Sequence, residues 1–496
     1  MAGLLIAGTT SDAGKTIVVT GLCRAFRRRG IDVAPYKAQN MSNNSMVCAD
    51  GAEIGRAQWI QARAAMVEPE AAMNPVLLKP GSDTRSHVVV MGKPGGQIGS
   101  ANWEAGRSAL ARVAHEAYDD LAGRFDLIVA EGAGSPTEIN LRAGDYVNMG
   151  LARHAGLPTV VVGDIDRGGL FAALYGTVAL LEPDDQRLIA GYVANKFRGD
   201  LALLQPGIDE LTRLTGRTTY GVLPWHPALW LDSEDALDIG GRRAPDGDTF
   251  RVAVVRFPRI SNFTDVDALG LEPDVDVVFA SSARDLRGVD LIVLPGTRAT
   301  IADLNWLRSR GLDIEIAAHV RAGRAVLGIC GGAQMLGESI VDAAGIEGAP
   351  NTQVAGLGLL NAVTSFEAEK VLRLPVGTGL GQPVTGYEIH HGRFHVAADV
   401  AAGEAFPGGV RSGSVFATMW HGSLESDSFR QAFLAEVAEA AGRARDASTV
   451  VFNERREARL ELLADLVTEH LDLDALLELA GSGPLDLPLL PPGSSR

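Results

Sequence analysis

Over the first half of the chain, short apolar runs rich in β-branched residues alternate with longer stretches of helical periodicity. Leu4–Ala7, Ile31–Tyr36, Asp126–Ala130, Pro158–Val162 and Leu188–Val193 predict buried strands. Thr16–Arg29 predicts a helix: Ile17, Val18, Leu22, Ala25 and Phe26 fall on one side, and Gly30 supplies a stop. This alternation predicts an α/β fold with a largely parallel, doubly wound sheet. The polar stretch 240–248 (GGRRAPDGD) reads as a linker. A second strand series follows at Arg251–Phe257, Val275–Phe279, Asp290–Leu294 and Ala325–Ile329, predicting a second α/β domain. Residues 361–419 turn β-rich, helices are predicted at Ser428–Arg443 and Arg455–Leu479, and Gly481–Arg496 reads as a mobile end. The expected organisation is one domain over 1–240, a second over 249–445, and a helical extension with tail over 446–496.

Composition narrows the function classes. Sixty-one acidic against 45 basic residues leave a net charge of −16, which argues against nucleic-acid or anionic-membrane partners. The three cysteines (Cys23, Cys48 and Cys330) form no CxxC pair, so a reducing, cytoplasmic setting is expected. The longest uncharged apolar run, Gly168–Leu181, falls short of the roughly 20 residues needed to span a bilayer. At 496 residues the chain can bury large cores without disulfides or structural metals.

The strand LLIAG leads into Thr9-Thr10-Ser11-Asp12-Ala13-Gly14-Lys15-Thr16 and then a helix. That order cradles phosphate: backbone N–H groups point at its oxygens, Gly14 permits close approach, Lys15 adds charge and Thr16 can ligate Mg²⁺. The first glycine, Gly8, stands one residue earlier than in the commonest form of the loop. Glu131, at the C-terminal end of an apolar run, would stand at the ligand edge of a parallel sheet as a Mg²⁺ ligand. Glu53 is a weaker metal candidate, and Asp126 reads as structural.

In the second half an apolar strand ends in Gly328-Ile329-Cys330-Gly331-Gly332 before a helix. Small neighbours permit a sharp turn that lifts the central side chain out, and a helix N-terminus favours a thiolate, so Cys330 reads as a nucleophile. Cys23, inside a helical pattern, reads as core. A thiol nucleophile needs a base. His421 follows a strand-like run, and His390 and His391 compete with it. Leu291–Leu294 ends in Pro295-Gly296-Thr297, whose N–H groups, with that of Gly331, would stabilise an oxyanion; the alternative is an ordinary turn. A thiol attacking an amide releases ammonia, and a neighbouring nucleotide site can activate a carboxylate as an acyl phosphate for ammonia to attack.

LPGT, GICGGAQMLG and the late WHG make the second half similar to class I, triad-type glutamine amidotransferase domains. The shifted loop GTTSDAGKT makes the first half similar to the dethiobiotin synthetase-like P-loop group. With YKAQNMSNNS, EIGRAQ, MNPVLLKP, EGAGSP, DIDRGG and NKFRGD added, residues 3–475 closely resemble the glutamine-hydrolysing CobQ family of cobalamin biosynthesis. The resemblance implies ATP and Mg²⁺, with L-glutamine and a corrinoid as substrates. It implies four successive amidations, at the b, d, e and g carboxylates of adenosylcobyrinic acid a,c-diamide. It assigns Cys330 as glutaminase nucleophile and His421 as its base, and Lys15, Thr16 and Glu131 to phosphate and metal, with Glu53 sharing the metal. It puts Lys37 near the transferred phosphate and Asn195 near the adenine, in a cytoplasmic enzyme for which a homo-oligomer is open.

The usual triad glutamate two residues after the histidine is replaced by Ser423, so a Cys–His dyad is expected, with Glu425 the nearest acid in sequence. An anionic corrinoid on a chain of charge −16 needs a local basic cleft; Lys37, Arg56, Lys79, Arg85, Arg142 and Arg167 are the candidates.

Overall fold

The computed structural model describes residues 2–80, 85–99, 103–227, 229, 249–396, 405–483 and 485–490; the expected linker 240–248 lies outside them. Six parallel strands form the first sheet, in the order Thr218–Pro224, Ile189–Phe197, Thr159–Asp164, Ala2–Gly8, Leu127–Glu131, Val33–Tyr36. Both faces are covered, which is why its strands read as continuous apolar runs rather than alternating ones. The first of these strands, TTYGVLP, carries little apolar signal, so the sequence predicts no strand there. Gly8, Glu131, Asp164 and Asn195 all lie at or near the C-terminal ends of their strands, on one edge of the sheet.

After Tyr36 the chain leaves this sheet. It builds a side sheet ordered Gln39–Met41, Val76–Pro80, Arg85–Val90, Lys93–Gly99, and a ribbon of Ser45–Val47 with Glu53–Gly55. The second domain has five parallel strands, ordered Val275–Ala280, Phe250–Val255, Leu291–Leu294, Ala325–Ile329, Val415–Thr418, extended by antiparallel Gly409–Ser412 and Ala405–Phe406. A separate four-stranded sheet, which includes Ala362–Arg373 and Glu388–Val396, accounts for much of the β-rich stretch.

Beyond the second domain, the described residues 452–483 and 485–490 return to the first domain. The predicted helix over 455–479 is two helices, Phe452–His470 and Leu473–Ser482. They part where Asp472 caps the second through Ala475 N and donates its own N–H to Tyr220 O at 2.8 Å. Phe452–His470 lies along the helix Lys15–Arg28, and Leu460, Leu463, Ala464 and Val467 share one core with Val18, Val19, Leu22 and Phe26. Gly21 makes room: a Cβ there would stand 2.5 Å from Val467 Cγ1. Buried Arg24 joins the helices through Glu457 (2.6 Å) and Glu461 (3.2 Å). Residues 485–490 are pinned rather than mobile: buried Leu490 donates its N–H to Gln186 Oε1 at 2.8 Å, and Pro488 O accepts from Arg217 at 3.0 Å.

Candidate functional site

The phosphate-loop turn is built by Gly14, at φ +96, a conformation L side chains avoid. A Cβ there would sit 2.0 Å from Asn195 Nδ2, so the loop closes onto the neighbouring strand only with glycine. Asn195 holds the loop by donating to Ala13 O at 2.9 Å. Lys15 folds back on carbonyls of the loop, Thr10 O (2.9 Å) and Ser11 O (3.0 Å), and on Gly134 O (3.2 Å).

Glu131 gathers the predicted residues around it. Its Oε1 accepts from Thr16 Oγ1 at 3.0 Å and Lys37 Nζ at 2.9 Å, and its Oε2 accepts from Gln61 Nε2 at 2.5 Å. Burial pushes its pKa up, but the Lys37 charge and hydrogen bond, then Lys15 and Gln61, outweigh that and hold it below the usual carboxylate range. A hydroxyl and a carboxylate oxygen side by side at the mouth of the loop fit Mg²⁺, which takes one or two carboxylates and completes its shell with phosphate and water. Among the described residues no group of three or more His, Cys, Asp or Glu offers a metal a full protein cage.

Glu53 is not in that cluster. Ser45 Oγ (2.8 Å), Lys79 Nζ (2.5 Å) and Lys370 Nζ hold its carboxylate, so ammonium groups occupy it where the sequence predicts a metal. Lys370 comes from the second domain, which makes this a buried link between domains. Of the six basic candidates for a corrinoid cleft, five are engaged by carboxylates: Lys37 by Glu131, Arg56 by Glu425, Lys79 by Glu53, Arg142 by Asp185, and Arg167 by Asp12 and Asp164. The Arg85 side chain lies outside the description.

Cys330 has φ +51 and ψ −110, between the strand Ala325–Ile329 and the helix Gly331–Leu336. Its N–H donates to Thr418 O at 2.8 Å, fixing the turn to the strand that leads to His421. The turn demands small neighbours: a Cβ on Gly332 would stand 1.9 Å from Leu294 O, and one on Gly331 2.7 Å from Thr297 Cγ2. The Pro295–Thr297 loop lies against both partners, since a Cβ on Gly296 would stand 2.9 Å from His421 Cε1.

His421 is buried and hydrogen-bonded to Cys330. Its backbone pairs with Tyr387, and its ring stacks on the tyrosine ring at 5.2 Å between centroids. The sequence predicts a dyad; the structure adds a carboxylate. Asp265 Oδ2 lies 2.6 Å from His421 Nδ1, and its Oδ1 accepts from Gly422 N at 2.8 Å. Burial lowers the imidazole pKa, but the charges of Asp265 and Cys330, with their hydrogen bonds, raise it to about 10. Asp265 precedes His421 by 156 residues, on a single turn of 3-10 helix with no motif around it, so no spacing rule reaches it. Glu425 instead pairs with Arg56 (3.1 Å) and Arg456 (2.9 Å). His390 and His391 line the Cys330 cavity, but each commits Nδ1 to a backbone carbonyl, Gly392 O and Glu367 O.

Thiol, imidazole and carboxylate in hydrogen-bonded series can move a proton from sulfur to nitrogen and hold the imidazolium formed. The cavity beside Cys330, about 50 Å³, is lined from the second domain by Cys330, Gln334 and Arg298 and from the first by Asn43 and Lys79. Family models match in the same two halves: a CobQ/CobB/MinD/ParA nucleotide binding domain over residues 4–238, and a CobB/CobQ-like glutamine amidotransferase domain over 251–429. Curated relatives match end to end. Cobyric acid synthase of Mycolicibacterium gilvum is 66% identical, and that of Mycolicibacterium vanbaalenii 67%, each over 100% of both chains.

The chain belongs to the cobyric acid synthase family. The cobyric acid synthase of Mycobacterium tuberculosis, 66% identical over 100% of both chains, matches equally well. Membership makes the chain a glutamine-dependent amide ligase of cobalamin biosynthesis, with a nucleotide-binding half and an amidotransferase half. Its substrates are glutamine and a corrinoid. Among the described residues no helix is long and apolar enough to cross a membrane.

Proposed function

We propose that this enzyme amidates the b, d, e and g carboxylates of adenosylcobyrinic acid a,c-diamide, using ATP with Mg²⁺ and ammonia freed from glutamine at Cys330. The observation that carries the glutaminase half is the hydrogen-bonded series Cys330–His421–Asp265. The Cys330 thiolate attacks the carboxamide carbon, and N–H groups of Gly296 and Gly331 receive the negative oxygen. The C–N bond then breaks, and ammonia leaves with the proton that His421 supplies. Water attacks the thioester, gives its proton back to His421 and releases glutamate.

In the other half Lys15, the backbone around Gly14 and Thr16 hold the ATP phosphates, with Asn195 towards the adenine. Mg²⁺, held by Thr16 and Glu131, would neutralise charge on the phosphates. Lys37, beside Glu131, stands where the transferred phosphoryl would be. A substrate carboxylate takes that phosphoryl, and ammonia displaces phosphate from the acyl phosphate to leave the amide. Free ammonia is mostly protonated at neutral pH, so its release within the same molecule keeps it nucleophilic.

The test is product mass after incubation with ATP, Mg²⁺, glutamine and adenosylcobyrinic acid a,c-diamide. Four stepwise changes, each replacing a carboxylic hydroxyl by an amino group, support the assignment; glutamine hydrolysis and ATP turnover without a mass change remove this corrinoid as substrate. Cys330→Ser should end use of glutamine and leave ammonia as a working nitrogen source.

A further inference from the structure

The segment that brings in Asp265 is fixed from two directions. Ser261 N donates to Gly296 O at 2.8 Å and Arg298 N donates to Arg259 O at 2.9 Å, so the segment lies along the Pro295–Thr297 loop. Asn262 follows at φ +49 and ψ +39, immediately before the single 3-10 turn Phe263–Val266 that presents Asp265. Asparagine is one of the few residues that tolerate this left-handed conformation. Its carbonyl accepts from Asp265 N at 3.1 Å, which ties the backbone of Asp265 to Asn262.

An asparagine ahead of a helical turn ordinarily lends its side-chain oxygen to the N–H groups of that turn. Asn262 makes no such bond. Its Oδ1 accepts instead from the N–H of Ser45, at 2.9 Å, and Ser45 belongs to the first domain. Both residues are buried, Asn262 at 3% exposure and Ser45 at 0%, so water cannot take the place of either partner. Ser45 is held in its turn. It pairs with Gly55 across the two-stranded ribbon, and its Oγ donates to Glu53 Oε1 (2.8 Å) and accepts from Lys79 Nζ (2.7 Å). The same ribbon meets His421 by other routes. Asn44 O accepts from Arg56 N at 3.1 Å, and Arg56 pairs with Glu425, whose N–H donates to Gly422 O at 2.9 Å. Tyr387, stacked on the His421 ring, shares one core with Met46 and Val47.

We propose that Asn262 is a positioning residue for glutamine hydrolysis, a peg through which the first domain's ribbon sets the turn that aims Asp265 at His421. The proposal rests on the glutaminase reading of Cys330. The line runs from Ser45 N–H to Asn262 Oδ1, from Asn262 O to Asp265 N–H, and from Asp265 Oδ2 to His421 Nδ1. Asn262 also lines the Cys330 cavity, but its Oδ1 is spent on Ser45, so its influence on the chemistry passes through Asp265. The amidotransferase half thereby owes the alignment of its catalytic carboxylate to a contact with the nucleotide-binding half.

The experiment measures glutamate release by the full-length protein, as kcat and KM for glutamine. The variants are Asn262→Gly, Asn262→Ser and Asn262→Asp, each alone and combined with Asp265→Asn. Glycine takes φ +49 without strain, and a serine hydroxyl falls one bond short of Oδ1, so both leave the Ser45 N–H buried without its acceptor. Each truncation should lose roughly fivefold to thirtyfold in kcat, with KM within about twofold of wild type. Asn262→Asp keeps an acceptor oxygen in the place of Oδ1 and should stay within about threefold. In the Asp265→Asn background the truncations should cost less than about twofold, because the group they position is already disabled. An unchanged kcat in the truncations overturns the proposal. So does a loss confined to KM, an equal loss in Asn262→Asp, or a loss that persists in full beside Asp265→Asn. If wild type releases no glutamate from glutamine, the glutaminase reading falls and this proposal with it; if wild type does so and the variants depart from these outcomes, this proposal falls alone.

Discussion

Asp265→Asn removes one charge from the site and almost no volume. In the native site Oδ2 faces His421 Nδ1 at 2.6 Å and Oδ1 faces Gly422 N at 2.8 Å, so both oxygens meet donors. An asparagine can satisfy only one. With its oxygen on Gly422, its NH₂ faces the imidazole and forces the tautomer protonated on Nε2, which cannot take a proton from Cys330. With its oxygen on the imidazole, the Gly422 N–H is left against another donor. A hydrogen bond to a charged group contributes about 1.5–3 kcal/mol, and 1.36 kcal/mol is tenfold in rate, so kcat/KM for glutamine should fall by roughly 10- to 150-fold. The assay is glutamate release from pH 6 to 10, with the thermal midpoint as a check on folding. Native His421 is raised from 6.5 to about 10, so its contribution to stability is whole below pH 6.5 and is lost as pH rises through about 10. Without the Asp265 charge the imidazolium loses its support, so the alkaline loss of stability should shrink and the activity profile should move towards acid. A variant within twofold of wild type across the whole range would refute the assignment of Asp265.

Other perturbations test the remaining contacts. Gly14→Ala should abolish ATP binding by calorimetry, because its Cβ meets Asn195 Nδ2 at 2.0 Å and φ +96 strains any L residue. Glu131→Gln withdraws the buried carboxylate facing Lys37 and should cost about 3–5 kcal/mol of unfolding free energy in denaturant titration, along with ATP-dependent turnover. Leu463→Ala, in the seam between the last long helix and the phosphate-loop helix, should cost about 2–5 kcal/mol in the same measurement although it lies far along the chain from that loop. Iodoacetamide should label Cys330 ahead of Cys23 and Cys48, whose thiols burial raises, Cys48 to about 12; mass spectrometry of tryptic peptides reads the order.

The local devices were legible because each is a contiguous string with its own geometry. The phosphate loop needs a strand, Gly14-Lys15-Thr16 and a helix; the elbow needs glycines around Cys330. Strand–helix alternation likewise determined an α/β fold in two halves. Glu131 was legible from its place at the end of an apolar strand.

Contacts across the chain were not legible. Asp265 reaches His421 across 156 residues, and only the packing of its short turn against the strand end decides it. Glu53 looked like a metal ligand because its charge was visible and its partners were not; Lys79 is 26 residues away and Lys370 is 317. The last helices looked like an appendage because an apolar stripe shows that a helix must bury a face without showing against what; the gap over Gly21 answers that. Sequence determined which local shapes the backbone takes, since those follow from neighbouring side chains and periodicity. Only the tertiary structure decided which charges are spent on one another and which stay open, because burial and pairing are set by atoms that distant segments bring together.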